Sequence, residues 1–446
     1  MPARGLRQKL TIKLHKVVCL NGFWHLLPRG SFIWNVLVLS GGTALGYTIT
    51  LLTSPVLTRL YTAEDFGIWG VFAALLSSCM VIASLRYEIA ISLSGKEEDV
   101  VGLQVLSLSL VLGMGLLIGF VVLLIGGHIV EWVNVLPLRN YLWLLPIGLI
   151  AGGFHQVFSY WAVRKRWFPH LARIGITQNF TQVLIQTSLG VISHGPGGLV
   201  LGLVGAQLVG IGSLGTLAWR ESRDTLKKLT LRSIRDVALR YRRFPLFSSG
   251  SALINNLGLQ LPMLLLAAFY GSQVAGWFGL GQRVLGIPLT FLGNSIAKVY
   301  IGEASRLKLE NPALLRRLVL QTTFRLFVIC ILPMMGLALG GAWLFTFIFG
   351  ETWRESGRYV QILSIPFTAR LIVVPLSQTL NILDRQDLQL FWDVFRVIVV
   401  VVTILIPFSL RWSSFQAILT YGIGTLGAYI LLFIISNNEL CKMQID

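Results

Sequence analysis

Between Ser40 and Leu93 the chain carries two long apolar segments separated only by a short hinge, Leu60 to Phe66. Polar residues are too sparse in either segment for a soluble amphipathic helix, so the stretch reads as a membrane helical hairpin. It also recurs. Ala44-Leu45, Tyr61, Gly67 and Gly70 are answered by Ala252-Leu253, Tyr270, Gly276 and Gly279, a shift of 209 positions for the Tyr and both Gly and of 208 for the Ala-Leu pair. That is close to half of the 446 residues, and it predicts two copies of one multi-helix unit.

With 54% hydrophobic and only 13% charged residues, the chain has too little polar surface to cover a soluble globule of this length. It is expected to be an all-α integral membrane protein. A formal net charge of +18 raises nucleic acid as a partner, but the basic residues sit mainly in short segments between apolar runs, where membrane topology already requires them. No nucleic-acid partner is expected.

Twelve apolar spans are predicted: Phe32 to Leu57, Phe66 to Leu93, Val100 to Ile125, Tyr141 to Val163, Leu171 to Ile192, Gly198 to Trp219, Phe247 to Ala268, Val274 to Ala297, Leu318 to Phe349, Tyr359 to Ile382, Leu388 to Leu410 and Phe415 to Ile435. The expected organisation is a basic cytosolic segment 1–31, a first lobe 32–219, a basic cytosolic linker 220–246, a second lobe 247–436 and a cytosolic tail 437–446. The leading segment carries Arg4, Arg7, Lys9, Lys13, Lys16 and Arg29 around a patch, Val17 to Leu27, that is too short to span and is followed by no small-residue cleavage site. Of the 37 Lys and Arg, Arg59, Arg139, Arg354, Arg358 and Arg411 fall in outside loops and most others in cytosolic segments, which places both termini in the cytoplasm. The linker, richest in Arg and Lys, also suits anionic lipid head groups, although topology alone accounts for its charge.

The sequence offers little for catalysis. The one Gly-Lys pair, Gly95-Lys96, runs into Glu97 and forms no phosphate-cradling loop, and the six His show no ligand spacing. The longest outside loop, Gly126 to Asn140, has no room for a folded catalytic domain. Cys19, Cys79, Cys330 and Cys441 are too scattered for a metal site and read as unpaired. No enzyme activity, cofactor or metal is expected. His155, inside the fourth span, is the right residue type for a proton relay, but with no carboxylate facing it the packing reading is preferred.

The informative polar residues are buried arginines. Arg283, Arg325, Arg370 and Arg396 lie well inside the eighth to eleventh spans. Each costs about 2.5–3.5 kcal/mol near a helix centre, so all four must face protein, water or a bound anion. Asp393, one turn before Arg396, is their one evident partner. Guanidinium groups lining a cavity favour phosphate, and Asn255, Asn256, Gln282, Asn294, Gln378 and Asn381 are placed to hydrogen-bond sugar hydroxyls. In the first half, Arg86 and Glu88 sit near the cytosolic end of the second span, as a gate or as a salt-bridged helix end. With Asp393 and His155 they complete the candidate gating and coupling residues.

The run SPVLTRLYTAEDFGIWGVFAALLS followed by SLRYEIAISL, and later FPLFSSGSALINNLGLQLPMLLLAAFYGSQVAGWFGLGQRVLGIPLTFLG, resembles the Wzx-type polysaccharide and O-antigen flippases of the multidrug/oligosaccharidyl-lipid/polysaccharide exporter superfamily. The resemblance covers most of the chain from Ser31. It implies two six-helix lobes around a central cavity that opens alternately to each side. It also implies movement of undecaprenyl-diphosphate-linked oligosaccharide across the bacterial inner membrane for O-antigen, capsule or exopolysaccharide synthesis, with membrane lipids, a polysaccharide polymerase and chain-length machinery as partners. Two alternatives stand beside it, a lipid II flippase and a drug/cation antiporter of the same superfamily. The second should present buried acids to a cationic substrate, whereas the intramembrane charges here run the other way.

Overall fold

The computed structural model describes residues 32–442 apart from Lys228, Asn311 and Asp384. The segment 1–31 with Cys19, the last four residues of the tail, and the side chains of Asn294 and Asn381 lie outside the described residues.

Every regular element among the described residues is helical. In chain order they are α1 (Phe32–Leu60), α2 (Ala63–Ile82), α3 (Tyr87–Leu93), α4 (Glu97–Val133), α5 (Leu144–Arg164), α6 (Phe168–Ile192), α7 (Gly197–Leu208) and α8 (Ile211–Leu226). After the linker helix α9 (Leu231–Arg240) come α10 (Ser249–Tyr270), α11 (Ser272–Glu310), α12 (Pro312–Phe349), α13 (Arg354–Leu376), α14 (Gln378–Ile382), α15 (Gln386–Ser409) and α16 (Ser414–Lys442). Counting α2 with α3, α7 with α8, and α13 with α14, and leaving out α9, they make twelve segments, each long enough at about 1.5 Å per residue to cross a hydrocarbon core. Eight helices among the described residues also meet the apolarity expected of a span. Large apolar side chains stand fully in the open along them, Leu123 at 85% exposure and Leu339 at 77%, which only a lipid solvent tolerates. The chain is a multi-pass membrane protein.

Packing repeats with the sequence. In the first half α1 lies on α6, α4 on α5, α5 on α7 and α6 on α7; in the second α10 lies on α15, α12 on α13, α13 on α16 and α15 on α16. The halves meet chiefly where α2 lies against α10 and α11. The hinge between α1 and α2 is set by Thr62, whose side chain accepts from the Asp65 amide while the Asp65 carboxylate accepts from the Thr62 amide and hydroxyl. Beside it the Tyr61 hydroxyl donates to the Gln186 carbonyl at 2.6 Å, and burial, with the nearby Asp65 carboxylate, pushes that hydroxyl up to about 12.

Several predicted spans are interrupted. The second breaks between Ile82 and Tyr87, where Leu85 and Arg86 both take left-handed backbone at φ 50° and 65°. Such geometry at non-Gly residues costs about 1–3 kcal/mol each and persists only when surroundings enforce it. The sixth breaks at Val209 and Gly210, because Gly210 is left-handed and a Cβ there would press on Ile174. The tenth pauses at Ser377. The predicted outside loop Gly126 to Asn140 is mostly structured: α4 continues to Val133, and a 3-10 turn spans Leu136–Tyr141. Much of the linker is helical as well. Its helix α9 docks on α4 through Val237 over Gly102 and through Arg240 on Asp99 at 2.6 Å.

Candidate functional site

Alternation of the spans gives the bundle two ends. The linker end carries the α2–α3 break, α9 and the turn before α15; the hinge end carries Tyr61, Gly271 and Gly350. At the hinge end the halves are in contact. Phe66 meets Trp353 edge-on at 5.0 Å, the Trp353 indole donates to the Thr58 carbonyl at 3.1 Å, and the Ser272 hydroxyl donates to Glu64 at 3.4 Å. Toward the linker end the halves part around a cavity of about 1030 Å³.

Four guanidinium groups line that cavity, Arg86, Arg243, Arg370 and Arg396, with Asp393 as its one lining carboxylate. Arg396 and Asp393 neutralise each other. Arg396 Nη2 lies 3.2 Å from Asp393 Oδ1 and also donates to the Asn255 carbonyl at 2.8 Å and to its side-chain oxygen at 3.4 Å. The guanidinium stacks over Trp392 at 4.7 Å, and both charged side chains are almost wholly buried. Gly258 makes room for this arrangement, since a Cβ there would stand 2.8 Å from Arg396 Nε.

The other three guanidiniums form no ion pair among the described residues. Arg370 rests on Phe367, one turn earlier on α13, at 5.5 Å, and is half-buried. Arg243 is exposed at the rim, where the basic linker meets α10. Arg86 is aimed into the cavity by the left-handed break and keeps a buried Nε without a partner. The predicted pairing of Arg86 with Glu88 does not form. Glu88 is fully buried and accepts instead from the Ser84 hydroxyl and from Gln156 Nε2 at 3.0 Å, because the helical restart at Tyr87 turns the two side chains apart.

Asn255 and Asn256 line the cavity as well. Asn256 accepts from Ser77 of α2 at 3.3 Å, a hydrogen bond between the halves. Two of the predicted arginines are elsewhere. Arg283 is half-buried between the halves, over the Trp69 ring at 5.6 Å, and donates to the Thr50 carbonyl at 3.2 Å. Arg325 is exposed on the same helix face as exposed Val328 and Ile329, outside the cavity. Its long stem lets the charge snorkel away from lipid. Gln282 joins Arg370, Arg396, Tyr421 and Tyr429 around a small recess of about 20 Å³ behind the main cavity. His155 lines neither; its Nε2 lies 3.3 Å from the Ser159 hydroxyl, and its Nδ1 is buried without a partner.

Sequence reasoning missed Arg243, Gln386, Gln389 and Ser251 as lining residues. Arg243 had been absorbed into the topology argument, and the others sit at span ends, where polar residues are ordinary. Together the lining is cationic, rich in amides and hydroxyls, and holds no nucleophile beside a base. It can bind an anionic, hydroxylated solute.

Residues 56–358, more than half of the chain, match a family model described as polysaccharide biosynthesis protein. The teichuronic acid biosynthesis protein TuaB of Bacillus subtilis (strain 168) is 25% identical over 253 residues, which span 56% of this chain and 50% of that protein. The match therefore spans about half the length of that relative. Among solved structures, an inward-facing multidrug resistance MATE family transporter of the MOP superfamily superposes with TM-score 0.64 at 15% identity over 92% of this chain and 95% of its own. The lipid II flippase MurJ in an inward closed conformation gives 0.65 at 12% identity over 93% and 90%. A MOP superfamily transporter from Pyrococcus furiosus with a binding pocket of reverse polarity gives 0.60 at 16% identity over 93% and 97%. At these identities the likeness shows the fold.

Proposed function

Because the chain belongs to the polysaccharide biosynthesis protein family, we propose that it is a membrane transporter of the multidrug/oligosaccharidyl-lipid/polysaccharide exporter superfamily and flips an undecaprenyl-diphosphate-linked oligosaccharide across the bacterial inner membrane. The observation that carries this reading is the sign of the cavity. Arg86 from the first half, Arg243 from the end of the linker and Arg370 from the second half face one space with no carboxylate among the described residues to balance them, while the single described lining acid is held by Arg396. Arg binds phosphate through a planar fork, and a diphosphate lying between Arg86 and Arg370 would bridge the two halves. A cationic drug would meet three uncompensated positive charges in the same place.

In this reading the linker end is cytosolic. It collects Arg and Lys on α8, α9 and the turn before α10, as the inside face of a membrane protein does. The cavity then faces the leaflet in which lipid-linked units are assembled, and the hinge end is closed toward the outside. Transport is rocking of the lobes, residues 32–219 and 247–436, about a site near their junction.

In cells depleted of this chain, the lipid-linked repeat unit should accumulate in the cytosolic leaflet, scored by protection from an impermeant lectin in intact spheroplasts and exposure in inside-out vesicles. Accumulation of lipid II instead would identify the substrate as peptidoglycan precursor, and an unchanged distribution of both would overturn the reading. Arg325→Gln supplies the internal control. With its side chain outside the cavity, that variant should keep wild-type amounts of inserted protein and wild-type export, and surface substitutions of this kind stay within about 0.5 kcal/mol.

A further inference from the structure

A second recess, of about 340 Å³, opens from the cavity into the first half. Its floor is apolar, from Leu76, Met80 and Leu203, and its polar groups are Ser77, Gln156 and Gln207, with Arg86 at the doorway. Arg86 lines both spaces. We propose that this recess is the subsite that reads the sugar, with Gln156 and Gln207 as the specificity-determining residues. The inference rests on the diphosphate reading above and deepens it by placing the glycan.

The chemistry is that of carbohydrate recognition. Neutral amides exchange hydrogen bonds with hydroxyl groups, and apolar side chains accept the C–H faces of sugar rings. Gln156 sits in the interior of α5, beside His155, and Gln207 near the end of the otherwise apolar α7, where a polar side chain is costly unless it has a task. Gln156 already gives one amide N–H to buried Glu88, which leaves its carbonyl oxygen as an acceptor for a sugar O–H and its second N–H as a donor. Gln207 lines the recess and makes no side-chain hydrogen bond among the described residues, so its amide donor and acceptor both serve the recess. A diphosphate held by Arg86 stands at the entrance, and the first sugar is the next group along the substrate. Among the described residues the recess carries no charge beyond Arg86, which separates sugar reading from the cations Arg243 and Arg370 of the main cavity.

The test uses the purified full chain in lipid nanodiscs and two probes, undecaprenyl diphosphate without sugar and the lipid-linked repeat unit extracted from the membranes of the source cells. The wild type should bind the glycosylated probe more tightly than the bare diphosphate. Gln207→Leu, and Gln156→Leu made together with Glu88→Gln so that no buried carboxylate loses its partner, should each shrink that advantage by roughly three- to ten-fold, the size of one neutral hydrogen bond, while leaving affinity for undecaprenyl diphosphate unchanged. Retention of the sugar advantage in both variants would overturn the proposal, as would equal affinity of the wild type for the two probes. Loss of bare-diphosphate binding in the Leu variants would show a packing role and would equally overturn it. Failure of the wild type to bind undecaprenyl diphosphate at all would instead strike the function proposed above, and the subsite would fall with it.

Discussion

Arg370→Gln is expected to cut glycan export per inserted molecule by roughly ten- to a hundred-fold while leaving the amount of folded protein at the wild-type level. The magnitude is that of one hydrogen bond to a charged group, about 1.5–3 kcal/mol. The separation of activity from folding follows from the environment. Arg370 is half-buried on the cavity wall, stacked on Phe367 within its own helix, and forms no ion pair among the described residues, so its removal strands no buried carboxylate. Arg370→Lys keeps the charge and loses the planar fork, and should rescue export in part. Arg396 must behave in the opposite way. Its loss leaves Asp393 charged and buried, a defect of about 3–5 kcal/mol, so Arg396→Gln should lower the yield of inserted protein, and adding Asp393→Asn should restore yield. Export normalised to inserted protein separates the two, and full normalised activity in Arg370→Gln would end the anion-cavity reading.

That contrast also marks where the sequence stopped being legible. Four arginines inside apolar spans were visible at once, because a charge in a hydrocarbon-length run stands out whatever the fold. Their directions were not. A helix such as α12 is apolar nearly all round, so its pattern contains no polar face from which to read the way Arg325 points. Arg283 and Arg370 stand alike in sequence, yet one is clamped between the halves on the Thr50 carbonyl and the other looks into the cavity. The break that aims Arg86 has no Gly or Pro to announce it: Leu85 and Arg86 take left-handed backbone under tertiary constraint. The recess beside Gln156 and Gln207 went unread because lone amides within spans are ordinary packing residues until a neighbouring cavity gives them a direction. What periodicity and repetition do carry is the span count and the duplication, and the duplicated glycines acquire their meaning only in three dimensions.

Gly67 and Gly276 are the same position in the two copies of the repeat, and they meet. A Cβ on Gly67 would collide with the Ser272 carbonyl, and a Cβ on Gly276 with the Ala63 carbonyl, while each would also press on the backbone nitrogen of the other glycine. The pseudo-twofold relation between the halves therefore runs through this contact, at the end of the bundle where α2 and α11 begin. Both obstacles are backbone, so no side-chain rotation can relieve them. Overpacking of this kind costs about 1–3 kcal/mol, which disfavours the closed hinge end by roughly five- to 150-fold. If rocking of the lobes has to remake this contact in every cycle, Gly67→Ala or Gly276→Ala should leave the protein inserted but held open at the hinge end, with export falling by at least ten-fold. A cysteine placed at Asn256 on the cavity wall, in a background with the native cysteines replaced by Ser, reports the state. It should resist an impermeant maleimide added outside intact cells, and become labelled when either glycine is Ala. The double variant should be scarcely worse than the single ones, since both changes break one contact. Normal export together with an unlabelled cysteine in Gly276→Ala would show that the close approach of the halves is not the outer gate.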